Sequence, residues 1–493
     1  MSSFHALIER TYERPRIATF GCGCWFYWDQ FPGLKERLLA HQARFEDGLR
    51  ALGAEVISGG LADHPNAAVA IGDELRRQDP DLLMCYMSTY ALSASVLPII
   101  QRVGAPLVII SLQPNKAMDY AHGTTFMQLE HDNQTSLPEL CYALNRAGLP
   151  PKGLVVGTLD NDPAAWGRIA GWVRVARAYA SLRKARIGVM GHPYEGMLDM
   201  SADTSSFDGA FGLHCEHLEM DDLHQCVAEV GELELRDKLA EIDILFDRLA
   251  PGADPIAGPA EAQDLEWSAR VACGLDHLVA RFGLTGLAYY YRGLAGNANE
   301  RLGSSLMVGA SLLTARGVPL AGELDIRNCL AMLALDRLEA GGSFCEIHPC
   351  DFESDIVLVG HDGPHHIGVA QGKPVLRGLS ILHGKRGRGV SVEFQLRNGP
   401  VTCAGLTQDY DGCFRWVLAE GESLPGPIPA TGNTNTRCRF PPNVAGFIEA
   451  WSLAGPTHHF ALGVGHIAGQ VRDLASCFGQ TSVVVTEPGY RSV

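Results

Sequence analysis

Four residues able to bind a metal ion stand where apolar runs end. Glu323 lies in Val318-Pro-Leu-Ala-Gly-Glu-Leu-Asp325 and Glu346 in Gly341-Gly-Ser-Phe-Cys-Glu346. His361 follows Ile356-Val-Leu-Val-Gly360, and His459 lies in Ala454-Gly-Pro-Thr-His-His-Phe-Ala461. Two carboxylates with two imidazoles suit a divalent cation of mixed oxygen and nitrogen preference, such as Mn²⁺, with Co²⁺ and Mg²⁺ able to take similar sites. Open coordination positions would then hold two substrate oxygens, and the carboxylates can carry protons. The separations of 23, 15 and 98 residues match no compact metal motif. On spacing alone, each residue can equally be a cap or turn at a strand end.

The chain behind these residues is that of a folded protein. Its 493 residues are 46% hydrophobic and 19% charged, enough for roughly three domains and a core that needs no disulfides. Forty basic against 56 acidic residues leave a formal charge of −16. That balance argues against a nucleic-acid partner, which would call for a basic patch, and suits small neutral molecules or cations. No run approaches the ~18 apolar residues of a membrane span. The first 15 residues lack the apolar stretch of a secretory signal. The 14 cysteines are scattered without doubled CxxC spacing and read as thiols of a reducing cytoplasm.

The elements that would position the four residues fall into three stretches. Residues 1–180 alternate strands (16–20, 54–58, 81–87, 106–111) with helices (35–52, 67–78), a βαβ rhythm that predicts a parallel sheet covered on both faces. Residues 181–335 begin a second such unit, with strands at 185–190 and 285–291 and helices at 229–250, 261–282 and 304–316. Pro251–Pro259 reads as a loop between helices. Residues 336–493 turn β-rich, with short runs at 354–359, 389–395 and 482–485 punctuated by Gly and Pro, as in a small antiparallel barrel. The expected fold is α/β: two Rossmann-like parallel-sheet domains followed by a C-terminal β-rich, barrel-like domain. In such sheets ligands sit beyond the carboxyl ends of the strands.

The stretch from about Glu300 onward resembles the L-arabinose isomerase family, within the L-fucose/L-arabinose isomerase group. The pieces that carry the likeness are Ala321-Gly-Glu-Leu-Asp325, Gly341-Gly-Ser-Phe-x-Glu346, Asp355-x-Val-Leu-Val-Gly-His361 and Ala454-Gly-x-x-His-His459, in the family's order. The resemblance implies Mn²⁺ held by Glu323, Glu346, His361 and His459. It also implies an aldose–ketose interconversion through a cis-enediol, with Glu323 and Glu346 sharing the proton transfers, and a homo-oligomer, trimer or hexamer. This chain departs from the family pattern in three places. Leu324 and Ile326-Arg327 replace the Gly and Trp-Lys that usually complete the first motif. Gly21-Cys-Gly-Cys-Trp-Phe-Tyr-Trp28 stands for a Gln-His-Leu-Tyr-Gly segment. Asn133-Gln-Thr-Ser-Leu137 lacks the family's sugar-binding histidine, for which His131 is the substitute at hand. The metal chemistry is retained while sugar recognition differs.

The remaining polar clusters supply sugar contacts on this reading: Trp25, His131, Gln134, His192, Tyr194, Met197, Tyr291 and His458. Each has a plainer alternative. Trp25 to Trp28 can be a subunit contact, Gly191–Asp199 an ordinary capped turn, and Tyr289–Tyr291 a mixture of core and surface. His365-His366 reads as a solvated turn, with extra metal ligation as the alternative, and Lys385–Arg388 as a basic surface loop. Gly21-Cys-Gly-Cys is no dinucleotide fingerprint, because the third glycine of GxGxxG is missing. The expectation is a cytoplasmic, metal-dependent isomerase of a free monosaccharide. Its rivals are a metal-dependent epimerase or other sugar-modifying enzyme on the same ligands, and a sugar-binding protein without turnover.

Overall fold

The computed structural model describes residues 8, 11–252, 258–292, 296–379, 388–429 and 433–490. Tyr12–Ala180 forms one compact unit, and the chain from Ser181 onward belongs to the other. Within the first unit, β1 (Arg16–Cys22), β2 (Glu55–Ala62), β3 (Leu82–Met87), β4 (Leu107–Gln113) and β5 (Gly153–Thr158) form a parallel sheet in the order β2-β1-β3-β4-β5. β3 is buried along its whole length, which is why it reads as an unbroken apolar run. The helix Leu34–Ala51 buries Leu34, Leu38, Phe45 and Leu49, one stripe at helical spacing.

The described residues of the second unit form three sheets. β6 (Arg186–Gly191), β7 (His214–Leu218), β9 (Gly286–Tyr290) and β10 (Leu320–Ala321) make a parallel sheet in the order β10-β9-β6-β7. Next in the chain come β11 (Ser343–Ile347), β12 (Val357–His361), β15 (Gly399–Gln408), β16 (Phe414–Leu424), β17 (Thr434–Arg439) and β18 (Phe460–Val464). These six pair antiparallel in the order β15-β18-β11-β12-β17-β16, and β16 returns to β15. The result is a closed barrel, which leaves no free edge among its strands. β19 (Thr481–Val484) is added parallel to β16.

β8 (Asp247–Arg248), β13 (Val375–Leu379) and β14 (Gly389–Glu393) form a separate three-stranded sheet. The β-run at 389–395 therefore stands outside the barrel. The fold matches the expected class: two parallel sheets and a C-terminal β barrel. Among the described residues no helix is long and apolar enough to cross a membrane. Residues 253–257 of the Pro/Gly loop, 385–387 of the basic loop and most of the first ten residues lie outside the described residues. Arg388 is described and pairs with Glu261 and, at 3.5 Å, with Asp264.

Between β10 and β11 runs the helix Ile326–Arg337, buried nearly all round. Asp325 caps it, accepting the Asn328 N–H at 2.9 Å. This helix joins the second parallel sheet to the barrel and carries the site at its N-terminal end.

Candidate metal centre

Barrel register brings the distant ligands together. Glu346 on β11 pairs with Gly360 on β12, so it stands beside His361 at the end of that strand. β18 lies on the other side of β11, with Cys345 opposite Phe460, the residue after His459. Fifteen and 98 residues of sequence thus become neighbouring strands β12, β11 and β18. Phe344 packs edge-on against His361, with ring centres 4.6 Å apart, and against His459 at 4.4 Å.

Glu323 arrives from the other side, on the turn after β10. Both Glu323 (φ 56°) and Leu324 (φ 63°) are left-handed, a conformation that costs a non-glycine residue about 1 kcal/mol or more. The turn is pinned by Leu324 N–H donating to Tyr289 O at 3.1 Å and Asp325 N–H donating to Gly322 O at 2.9 Å.

Two aspartates orient the adjacent histidines. Asp325 Oδ2 lies 3.1 Å from His459 Nδ1, and both residues are fully buried. Asp199 Oδ2 accepts His458 Nδ1–H at 2.6 Å and the His458 backbone N–H at 3.0 Å. With each Nδ1 engaged, both Nε2 atoms face Glu323 Oε2, at 3.6 Å from His459 and 3.7 Å from His458. Across the site, His348 Nε2 is 3.2 Å from Glu346 Oε1, and its Nδ1 donates to Asn435 Oδ1 at 2.6 Å.

The electrostatics separate the groups. Burial raises the Glu323 carboxyl, but His458 and the nearby His459 and His361 outweigh it and hold the group below the usual carboxylate range. Glu346 behaves likewise, with burial opposed chiefly by His348 and then His361. Burial, only partly countered by Asp325, lowers His459 and favours its neutral, metal-binding form. Burial pulls His458 the same way, yet Glu323 and Asp199 overcome it and lift the group to about 9. Burial opposes His348 too, and Glu346 and Asn435 raise it on balance.

Glu323, His458 and His459 offer ligand atoms within 4.8 Å of one another, as do Glu346, His361 and His459. Glu323 Oε2 and His459 Nε2 are both buried without a hydrogen-bond partner. Two such acceptors facing each other are costly unless a cation or donor sits between them. The set of hard carboxylate oxygens and imidazole nitrogens therefore fits a divalent metal ion.

Cavities open on two sides of this centre. One of about 230 Å³ is lined by Glu323 and His361 together with Tyr289, Tyr290, Tyr291 and Arg292. The other, about 350 Å³, is lined by Glu346, His458, Asp199 and Trp451. Tyr194 packs on Tyr290 at 4.8 Å, and His192 stands edge-on to Tyr290 at 5.2 Å and near Tyr291 at 6.4 Å. His192 and Glu195 are exposed, while Met197 is half-buried. Gly191 has φ 101°, and a side chain there would meet the Tyr290 carbonyl at 1.8 Å, so the loop needs glycine at its start.

Trp25, His131 and Gln134 belong to the unit of Tyr12–Ala180. Trp25 is 42% exposed and edge-on to His64 at 4.8 Å. His131 is buried, donating from Nδ1 to Met127 O at 2.6 Å and accepting at Nε2 from Asn115 at 2.9 Å. It borders a cleft of about 360 Å³ with Arg37, Asn115 and Phe126. Gln134 is half-buried and its carbonyl accepts Leu137 N–H at 3.1 Å.

One sequence expectation needs correction. His365 and His366 do not form a solvated turn: both are buried. His365 pairs with Ser343 Oγ at 3.0 Å and with the His361 carbonyl at 2.9 Å, and burial drives its pKa down to about 3. His366 faces the buried Asp336 at 3.3 Å. The local sequence hides this, because it shows polar residues next to Gly and Pro and not the helix and strands that cover them. Sequence reading also missed the orienting roles of Asp325 and Asp199. Asp325 stood inside a quoted motif, and Asp199 ended the loop singled out after β6.

Comparison with known proteins bears on the same residues. The family described as the L-arabinose isomerase C-terminal domain matches residues 341–481, which include Glu346, His361 and His459. An L-arabinose isomerase of Nocardioides sp. is 26% identical over 419 residues, covering 82% of this chain and 80% of its own. One from Aeromonas salmonicida is 24% identical, with 82% and 81% covered. L-arabinose isomerase 1 of Bacillus licheniformis is 23% identical, with 82% and 80% covered. The chain is thus similar to L-arabinose isomerases over about four fifths of its length, and its closed C-terminal barrel carries the motifs that the family domain matches.

Proposed function

We propose that the protein is a metal-dependent aldose–ketose isomerase acting on a free monosaccharide. Glu323, Glu346, His361 and His459 hold the ion, and Glu323 and Glu346 carry the protons. The observation behind this reading is the pair of unpartnered buried acceptors, Glu323 Oε2 and His459 Nε2, where the groups Glu323–His458–His459 and Glu346–His361–His459 share His459. A bound divalent ion supplies Lewis acidity at the sugar carbonyl.

This chain's residues do the rest. Both glutamates sit below the usual carboxylate range, so both are ionised near neutral pH and can accept a proton. One takes the proton from C2 of the aldose and returns it to C1, and the other moves the hydroxyl proton from O2 to O1. The net change is an isomer, with no oxidant or water consumed. His458, cationic beside Glu323, is placed to donate to a sugar oxygen. Trp25, His131, Gln134, His192, Tyr194, Met197 and Tyr291 are the further sugar contacts of this reading. Mn²⁺ is the favoured ion, with Co²⁺ or Mg²⁺ as substitutes. A trimer or hexamer and a cytoplasmic location follow from the family resemblance. The divisions near residues 180 and 335 separate domains, with the site formed where the second and third meet.

The test is a screen of free aldoses and ketoses with metal-stripped protein, then with Mn²⁺ restored. Ketose formation that needs Mn²⁺ and drops at least about 1000-fold in Glu323→Gln is the expected result. Tight Mn²⁺ binding without turnover on any sugar overturns it.

A further inference from the structure

We propose that Asp199 is a positioning residue: it locks His458 so that Nε2 is presented beside Glu323, in the cleft that Glu346 also lines, where it meets a sugar oxygen. This deepens the isomerase reading and rests on it for the identity of the substrate.

Three observations carry the proposal. First, one carboxylate oxygen of Asp199 accepts both the ring Nδ1–H and the backbone N–H of His458, at 2.6 and 3.0 Å. Two hydrogen bonds from His458 to one oxygen fix the ring's direction and keep a proton on Nδ1. Second, the ring so held puts Nε2 at 3.7 Å from Glu323 Oε2, while His458 and Asp199 line the same cleft as Glu346. Third, Asp199 is itself anchored. Arg327, a buried residue, donates from Nη2 to the Asp199 carbonyl and, at 3.1 Å, to the Ser201 carbonyl.

Arg327 is one of the residues by which the first motif departs from the family pattern. The structure thus gives that departure a use: it clasps the 199–201 segment to the helix that begins at the metal centre. In this assignment Asp199 acts through His458.

Asp199→Ala and Asp199→Asn, in the full-length Mn²⁺-loaded protein, test the assignment. Asparagine keeps the shape but removes the negative charge and offers an N–H as well as an acceptor, so Nδ1 can give up its proton. Both variants are expected to lower kcat about 10–100-fold, with KM and Mn²⁺ affinity within about threefold of wild type. Arg327→Met, which loosens the clasp without touching the pair, is expected to cost less than either. Histidine ¹⁵N spectra should show His458 protonated at Nδ1 in wild type and no longer so in Asp199→Asn.

An Asn variant with full kcat and an unchanged His458 spectrum overturns the proposal. So does a fall in Mn²⁺ affinity that parallels the fall in kcat, since that makes His458 a metal ligand. If wild type turns over no sugar, the isomerase reading fails, but the spectra still decide the positioning role: a changed Nδ1 signal supports it and an unchanged one overturns it.

Discussion

Two aspartate–histidine pairs stand side by side at Glu323, and they differ in burial. Asp325 and His459 are sealed at 1% and 0% exposure, whereas the side chains of Asp199 and His458 are each about one-third exposed, at 37% and 34%. The same hydrogen-bond pattern yields opposite outcomes. In the sealed pair desolvation prevails and His459 is pushed below its ordinary pKa. In the open pair the carboxylates prevail and His458 rises to about 9. A carboxylate behind an imidazole therefore does not by itself decide the ring's charge. The balance decides it: His459 faces heavier burial and two neighbouring imidazoles, while His458 has a second carboxylate in Glu323, and that balance sets whether the ring suits a metal ion or a proton-bearing contact.

The largest expected effect follows from breaking the sealed pair. Asp325→Ala removes both the helix cap and the acceptor for His459 Nδ1. It should lower Mn²⁺ affinity about 10–100-fold, read by equilibrium titration, and destabilise the metal-free protein by about 2–4 kcal/mol in urea. Retained affinity would mean that His459 needs no orienting partner.

Stability against pH sharpens the contrast. His458 has a raised pKa, so in metal-free protein its contribution is fully present below the ordinary value near 6.5 and is lost as pH rises from there through about 9. His459 has a lowered pKa, so its burial costs stability as pH falls below about 6.5. After screening at a ring one-third exposed, the alkaline loss should be about 1 kcal/mol. His458→Gln should remove it while leaving the acid limb in place, as read from urea midpoints between pH 5 and 10. An unaltered alkaline limb would assign that slope to other groups.

The smallest expected effect is a near-absence. His458→Gln should leave Mn²⁺ affinity within about threefold, because the open pair serves the sugar and not the ion. A tenfold loss would erase the distinction between the pairs.

Sequence revealed these parts unequally. β3 and β4 were legible because strands buried on both faces are continuous apolar runs. Glu323, Glu346, His361 and His459 were legible as residue types at strand ends and through their motifs; the structure places them in two triads that share His459, with His458 beside Glu323. Strands β15 to β18 were not singled out: Gly399-Pro400 opens one, β16 and β17 mix polar and apolar residues, and β18 is a run of only five, around a barrel whose closure only tertiary pairing shows. The Asp199–His458 pair spans 259 residues, beyond the reach of any local pattern. His365 looked wet because its neighbours in sequence are polar, while its neighbours in space are Ser343, Phe394 and the His361 backbone.

Leu324 carries a last consequence. Its left-handed backbone, φ 63°, is one that glycine would adopt freely, yet its side chain is 95% buried. Releasing the backbone with Leu324→Gly relieves about 1 kcal/mol of conformational cost and gives up about 2 kcal/mol of apolar burial. The leucine is thus a latch: hydrophobic packing holds shut a turn that backbone preference would open, and the carboxylate of Glu323 keeps its aim because the next residue cannot let go.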